Sequence, residues 1–124
     1  EGMLKRGSGV IVNTASQLAF HGSATRAVYA AAKAGMVQFT KSAAAEWAPH
    51  GVRVVALAPG RTLTPMTAPL LSTEEQRLEG LKHIPAGRYG SREEMAKLTL
   101  MLASDMASYV VGETLIADGG YVLL

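Results

Sequence analysis

Val10-Ile11-Val12-Asn13 and Val52-Arg53-Val54-Val55-Ala56-Leu57-Ala58 bracket a proline-free run, from about Thr25 to Trp47, rich in Ala, Lys, Met and Gln. The two flanking runs are short, apolar and rich in β-branched residues. Gly7-Ser8-Gly9 precedes the first and Pro59-Gly60 ends the second, so both read as buried strands bounded by turns. The run between them is made of helix formers and stops at Pro49-His50-Gly51, which reads as one long helix. Strand, helix and strand in this order make a βαβ unit, with parallel strands and a right-handed crossover. The second strand is almost continuously apolar rather than alternating, as expected where both faces of a sheet are covered.

Outward from this unit, the segment from Arg61 to Tyr89 holds three prolines and mixed polarity. A short helix is expected within it, opened by a capping box at Ser72 and Glu75. A long insertion of this kind usually serves a site. A second capping box, Ser91 with Glu94, opens a helix whose Met95, Leu98 and Leu102 form an apolar stripe, ending near Ser104-Asp105. Leu115-Ile116-Ala117 then reads as a third strand, closed by the turn signal Asp118-Gly119-Gly120. The fold class is therefore α/β, with about three parallel strands and flanking helices.

Composition narrows the functions. Apolar residues make up 48% and charged residues 18% of the 124, a globular balance with no sign of disorder. The formal net charge is only +2, and no basic run interleaves with aromatics, so nucleic acid is not an expected partner. Cysteine is absent, which removes disulfides, thiolate metal sites and cysteine nucleophiles and fits a reducing compartment. No apolar run approaches a membrane span, and Glu1-Gly2-Met3 does not open a basic-then-apolar leader. A cytoplasmic protein is the expectation. His21, His50 and His83 lack metal-ligand spacing and read as surface or loop histidines, and no metal site is expected. Tyr121 to Leu124 is an apolar tail suited to covering a core or a subunit partner.

The residues that carry chemistry are Ser16, Tyr29 and Lys33. Ser16 falls just past the end of the first strand. Tyr29 and Lys33 lie four apart on the helix, a spacing that puts two side chains on one face about 5 to 6 Å apart. A phenol titrates near pH ~10, too high for efficient proton exchange near neutrality. An ammonium about 4 Å away favours the phenolate by about 4 kcal/mol at an effective dielectric of about 20. Such a pair can work as a general acid and base, while a serine hydroxyl hydrogen-bonds the oxygen of a carbonyl or alcohol. Tyr-x-x-x-Lys alone is common on amphipathic helices, where the lysine stem merely covers the ring. Here Ser16 and Pro59-Gly60 both follow strand ends, and open parallel sheets bind ligands outside the carboxyl ends of their strands. Hydrolysis by Ser16 is disfavoured, because neither Gly-x-Ser-x-Gly nor Ser-x-x-Lys occurs in the chain.

In these stretches, together with Thr64, Ile84-Pro85-Ala86-Gly87-Arg88, Ala103-Ser104-Asp105 and Gly112-Glu113-Thr114, the chain resembles the C-terminal half of the short-chain dehydrogenase/reductase family. It is similar to 3-oxoacyl-carrier-protein reductases, in order and spacing along nearly all of its length. The resemblance implies the second half of a Rossmann-like doubly wound sheet, with residues 1–124 the catalytic part of a single domain. It implies an NAD(P)-dependent enzyme moving a hydride between nicotinamide and a small carbonyl or secondary alcohol. Ser16 would polarise the substrate oxygen, Tyr29 would exchange the proton, and Lys33 would assist the tyrosine and hold the nicotinamide ribose. The loop after Pro59-Gly60 would lie along the nicotinamide, with Thr62 at the carboxamide and Thr64 a further contact. The resemblance also implies a homo-oligomer, a dimer or tetramer.

One part of the family pattern is missing. The dinucleotide pyrophosphate is normally cradled by a glycine-rich turn that opens a helix. Gly7-Ser8-Gly9 precedes a strand instead, the wrong order for holding phosphates. The residue that selects NAD or NADP is missing with it, so either cofactor is compatible. Val10 to Asn13 is expected to form an apolar strand edge without a neighbour. A chain of this kind is either the catalytic half of a longer enzyme or a truncated module that oligomerises without holding cofactor.

Overall fold

The computed structural model describes residues 1–124. Its elements follow as α1 (Gly2–Arg6), β1 (Gly9–Thr14), α2 (Ala27–Trp47), β2 (Val52–Pro59), α3 (Glu74–Leu81), α4 (Arg92–Ala103) and β3 (Thr114–Ala117), with single turns of 3-10 helix between some of them. The strands form one parallel sheet in the order β1-β2-β3, with Gly9 opposite Val52 and Ala56 opposite Thr114. The chain is thus a βαβ unit extended by one further crossover, as its sequence predicts.

β2 is the centre of the molecule because its successive residues point to opposite faces, and both faces are covered. Val54, Ala56 and Ala58 face α2, where Val37, Ala43 and Ala44 meet them with Ala15. Val55 and Leu57 face the other layer and pack on Leu102, with Met95 and Leu98 of α4 alongside. The stripe Met95, Leu98, Leu102 is therefore the buried face of α4. Burying a leucine such as Leu102 stabilises the fold by roughly 1.5 to 3 kcal/mol. Small alanines on α2 let the long helix lie close to the sheet.

One buried polar link fixes α2 along β1. Thr40 has no exposed surface; its hydroxyl donates to the Met36 carbonyl at 2.8 Å and accepts from the Asn13 side-chain amide at 2.9 Å. Helix and strand are thereby held in one register, and with them whatever their ends carry.

Two sequence expectations shift in detail, and one short helix is added. The capping box of α3 is formed by Thr73 and Gln76, not by Ser72 and Glu75. Both pairs fit the pattern, but Ser72 has helical backbone angles after the turn Ala68–Leu71, whereas Thr73 is extended and so takes the cap position. α2 begins at Ala27 rather than Thr25, because Thr25 sits at φ 64°, a left-handed conformation that cannot continue a right-handed helix. α1 has no counterpart in the sequence reading; it is five residues long and is ended by Gly7 at φ 67°. The second capping box is as expected: Glu94 N–H donates to Ser91 and the Glu94 carboxylate accepts from Ser91 N–H.

The outer edge of β1 pairs with nothing, and its residues are only half-buried. Just 19 of the 124 residues are buried, and these surround β2, while Val28, Phe39, Leu100 and Tyr109 stand exposed. The covered core is confined to the middle of the sheet.

Candidate active site

All three strands run the same way, so Ser16, Pro59-Gly60 and Asp118 emerge at one end of the sheet. β1 is prolonged by a hydrogen bond from Ala15 N–H to the Leu57 carbonyl at 2.8 Å. Ser16 follows as the cap of the turn Gln17–Ala19, its Oγ accepting from Leu18 N–H at 3.2 Å. That bond occupies one lone pair and leaves the hydroxyl hydrogen free to donate. Ser16 is buried, with only its edge at the surface.

Tyr29 stands in the first turn of α2 and is 46% exposed, so the phenol is open to a ligand. Lys33 lies one turn further on. Its ammonium is 5.8 Å from the centre of the Tyr29 ring and donates to the Thr14 carbonyl at 2.7 Å. The lysine thus spans the gap between helix and strand end, placing a positive charge beside the phenol two residues before Ser16. No hydrogen bond joins Ser16 to Tyr29 directly.

Pro59 ends β2, and the Gly60 N–H donates to the Ala117 carbonyl at 2.8 Å. Gly60 admits no side chain: a Cβ there would collide with the backbone of Asp118 and stand 2.7 Å from Gln17 Oε1. Thr62 is buried and its hydroxyl donates to the Gly60 carbonyl at 3.2 Å, but its backbone N–H has no protein acceptor. That free N–H is a donor of the kind a nicotinamide carboxamide requires. Thr64 is less available, since its Oγ accepts from Thr67 N–H at 3.2 Å in a reciprocal turn. Gly7-Ser8-Gly9 lies between α1 and β1, at the opposite end of the sheet. The residues present therefore fit the nicotinamide end of a dinucleotide and not its pyrophosphate.

Two cavities, of about 260 and 380 Å³, lie elsewhere: one beside Arg61, Met95 and Asp118, the other at the amino ends of the strands beside Gly9, Gly51 and Arg53. Ser16, Tyr29 and Lys33 line neither. Tyr29 is exposed, Lys33 half-buried and Ser16 buried, so geometry rather than cavity volume marks the site. No group of three or more His, Asp or Glu side chains converges on a point, and no helix is long and apolar enough to cross a membrane.

Two features escaped the sequence reading. Gln17 is 5% exposed and its Oε1 has no hydrogen-bond partner; its only sequence signal is adjacency to Ser16. Tyr121 gathers His21 at 5.2 Å, His83 at 6.2 Å and Arg61 at 5.5 Å around its ring. No local pattern could reveal that cluster, because its members come from four separate segments. It gives the tail a structural role in closing the loop from Arg61 to Tyr89. Asp118 is structural as well, accepting from Gly120 and Val122 N–H at 2.8 and 2.9 Å.

The fold agrees with known proteins. Residues 1–122 match the family model described as enoyl-(acyl carrier protein) reductase. The 3-oxoacyl-[acyl-carrier-protein] reductase of Chlamydia pneumoniae is 48% identical over 118 residues, which are 95% of this chain and 47% of that protein. The 2-dehydro-3-deoxy-D-gluconate 5-dehydrogenase of Bacillus subtilis is 42% identical over 97% of the chain and 47% of its own length. A crystal structure of a gluconate 5-dehydrogenase from Burkholderia cenocepacia, in complex with NADP and tartrate, superposes with a TM-score of 0.93 at 34% identity, covering 99% of this chain and 48% of that one. The chain spans about half the length of the relatives it matches, and the half is the C-terminal one. A three-stranded parallel sheet of this order, with these relatives along almost its whole length, belongs to the short-chain dehydrogenase/reductase family.

Proposed function

We propose that the chain is the catalytic half of an NAD(P)-dependent oxidoreductase acting on a small carbonyl or secondary alcohol. The observation that carries this reading is the position of Lys33, which holds one charge against both the Tyr29 ring and the strand end leading to Ser16. Bound nicotinamide supplies or takes the hydride. Ser16 donates its free hydroxyl hydrogen to the substrate oxygen and fixes the reacting carbon. Tyr29 gives a proton to that oxygen in reduction and takes it back in oxidation, with the adjacent ammonium stabilising the phenolate it passes through. Lys33 also holds the nicotinamide ribose hydroxyls, and the free Thr62 N–H, in the loop after Pro59-Gly60, meets the carboxamide.

The unpaired edge of β1 and the exposed Val28 and Phe39 on α2 support two further parts of the reading. A preceding half of the domain pairs with β1 and carries the glycine-rich turn for the pyrophosphate, and the complete enzyme is a homo-oligomer. Lack of cysteine fits a cytoplasmic setting.

The experiment is Tyr29→Phe in the full-length protein that carries this sequence. It should lower NAD(P)H-dependent ketone reduction by about 10² to 10⁴ with an unchanged melting temperature, since only the hydroxyl is lost. Near-normal turnover would remove Tyr29 from the mechanism.

A further inference from the structure

Thr67 directly precedes the 3-10 turn Ala68–Leu71, the position from which a threonine ordinarily caps a helix by accepting from its first free N–H groups. It makes no such bond. Its hydroxyl turns back into the loop after Pro59-Gly60 instead. There it lies 2.7 Å from the Thr62 carbonyl, 2.9 Å from the Thr64 N–H, and 3.1 Å from both the Thr64 carbonyl and the Thr64 hydroxyl. A hydroxyl has one hydrogen and two lone pairs. The short contact to the Thr62 carbonyl takes the hydrogen, and the Thr64 N–H and hydroxyl occupy the lone pairs. Everything this side chain can bond is thus spent on the loop, and nothing on the turn that follows. Thr62 is held from its other side by Gly90, whose N–H donates to the Arg61 carbonyl at 3.0 Å and whose carbonyl accepts from Leu63 N–H at 2.9 Å. In a parallel bridge of this kind the N–H and carbonyl of Thr62 itself point away from Gly90. Thr67 takes that carbonyl, and the N–H beside it stays free.

We infer that Thr67 is a positioning residue for the nicotinamide end of the cofactor: its hydroxyl holds Thr62 so that the free N–H is aimed at the carboxamide before the cofactor arrives. The inference rests on the oxidoreductase reading given above. Thr67 touches no cofactor atom in this role and acts through Thr62 and Thr64. A donor that is already fixed loses little freedom when a ligand meets it, so more of its hydrogen bond appears as affinity. Without the Thr67 hydroxyl, the Thr62 carbonyl and the Thr64 N–H both lose their partner, and Gly90 alone steadies the stretch from one side. The loop then has to be ordered as the nicotinamide binds. The cost falls on that end of the cofactor only, because the adenine end meets no residue of this loop.

The test is calorimetric titration of the full-length protein that carries this sequence with NADH and NADPH, and with the matching fragments that lack nicotinamide, ADP-ribose and its 2′-phosphate. Thr67→Val keeps the shape of the side chain and removes the hydroxyl. It should raise the dissociation constant of the nucleotide that wild type binds by about three- to tenfold, with that of the matching fragment unchanged. Thr67→Ser keeps the hydroxyl and should stay within about twofold of wild type on both ligands. Thr67→Ala is titrated in parallel and decides the matter if the valine variant melts early. Unchanged nucleotide affinity in the variants without the hydroxyl overturns the inference. An equal loss on nucleotide and fragment overturns it too, making the hydroxyl a general support of the fold. A serine variant as weak as the valine one also overturns it, since the hydroxyl then does not suffice. Wild type that binds neither nucleotide overturns the oxidoreductase reading itself, and the inference falls with it.

Discussion

The Lys33 ammonium donates to the backbone carbonyl of Thr14 at 2.7 Å, so the helix that carries Tyr29 is fastened to the strand that leads to Ser16 by the charge the two are expected to share. Because the acceptor is a main-chain atom, no substitution at Thr14 removes it. Lys33 alone controls the link.

Lys33→Met should accordingly have two effects at once in the full-length protein. Turnover falls by about 10² or more as the phenolate loses its neighbouring charge, and the nucleotide KM rises as a ribose ligand is lost. Steady-state kinetics against both ketone and nucleotide separate the two; an unchanged pH profile with unchanged nucleotide affinity would exclude Lys33 from both tasks.

Thr40→Val should destabilise the protein by about 1 to 2 kcal/mol although the two side chains are almost the same shape. The loss is the unpaired amide of Asn13, which has no other side-chain partner. Combining it with Asn13→Leu should recover part of the stability, and denaturant melts of the single and double variants measure the coupling.

Acid should weaken the fold through Glu94. The hydrogen bonds from Arg88, and next the Ser91 N–H, hold its carboxyl at about 2 instead of the ordinary 4.5. The folded state thus binds this proton less readily than the unfolded chain does. The contribution is complete above pH 4.5 and is lost as the pH falls toward 2. Thermal melts across this range should show a slope that Glu94→Gln reduces, the amide still being able to complete the cap.

The 124 residues alone should not bind NAD or NADP with useful affinity. The contacts proposed for Tyr29 and Lys33 with the ribose and for the free Thr62 N–H would be a few hydrogen bonds of about 0.5 to 1.5 kcal/mol each, set against the several kcal/mol lost in immobilising a ligand. Calorimetric titration with both nucleotides is the measurement, and a micromolar dissociation constant for either would contradict the argument.

The sheet was legible because β2 is apolar on both faces and ends at Pro59-Gly60, and because a proline-free helix run separates it from the apolar run of β1. Periodicity carries that information locally. The shifts at Thr25 and Thr73 were not legible, since each turns on a single backbone conformation that several residue types can adopt. Gln17 and the ring of His21, Arg61 and His83 around Tyr121 were hidden for a different reason: their meaning is in contacts between segments distant along the chain, which composition and spacing do not record.

The central place of β2 has a consequence for how the molecule comes to exist. β1 and β3 never touch each other, and each pairs only with β2 across a crossover. α2 closes its hydrogen bonds within its own sequence, so it can form early, but β1 has nothing to pair with until Val52–Pro59 arrives, and the other edge of β2 waits for Thr114–Ala117. Loop closure of this length precedes any reward from pairing, which makes assembly slow. The helix bearing Tyr29 and Lys33 is therefore ready first, and the strand ends beside it are completed last, when the chain after Pro59 folds back across them.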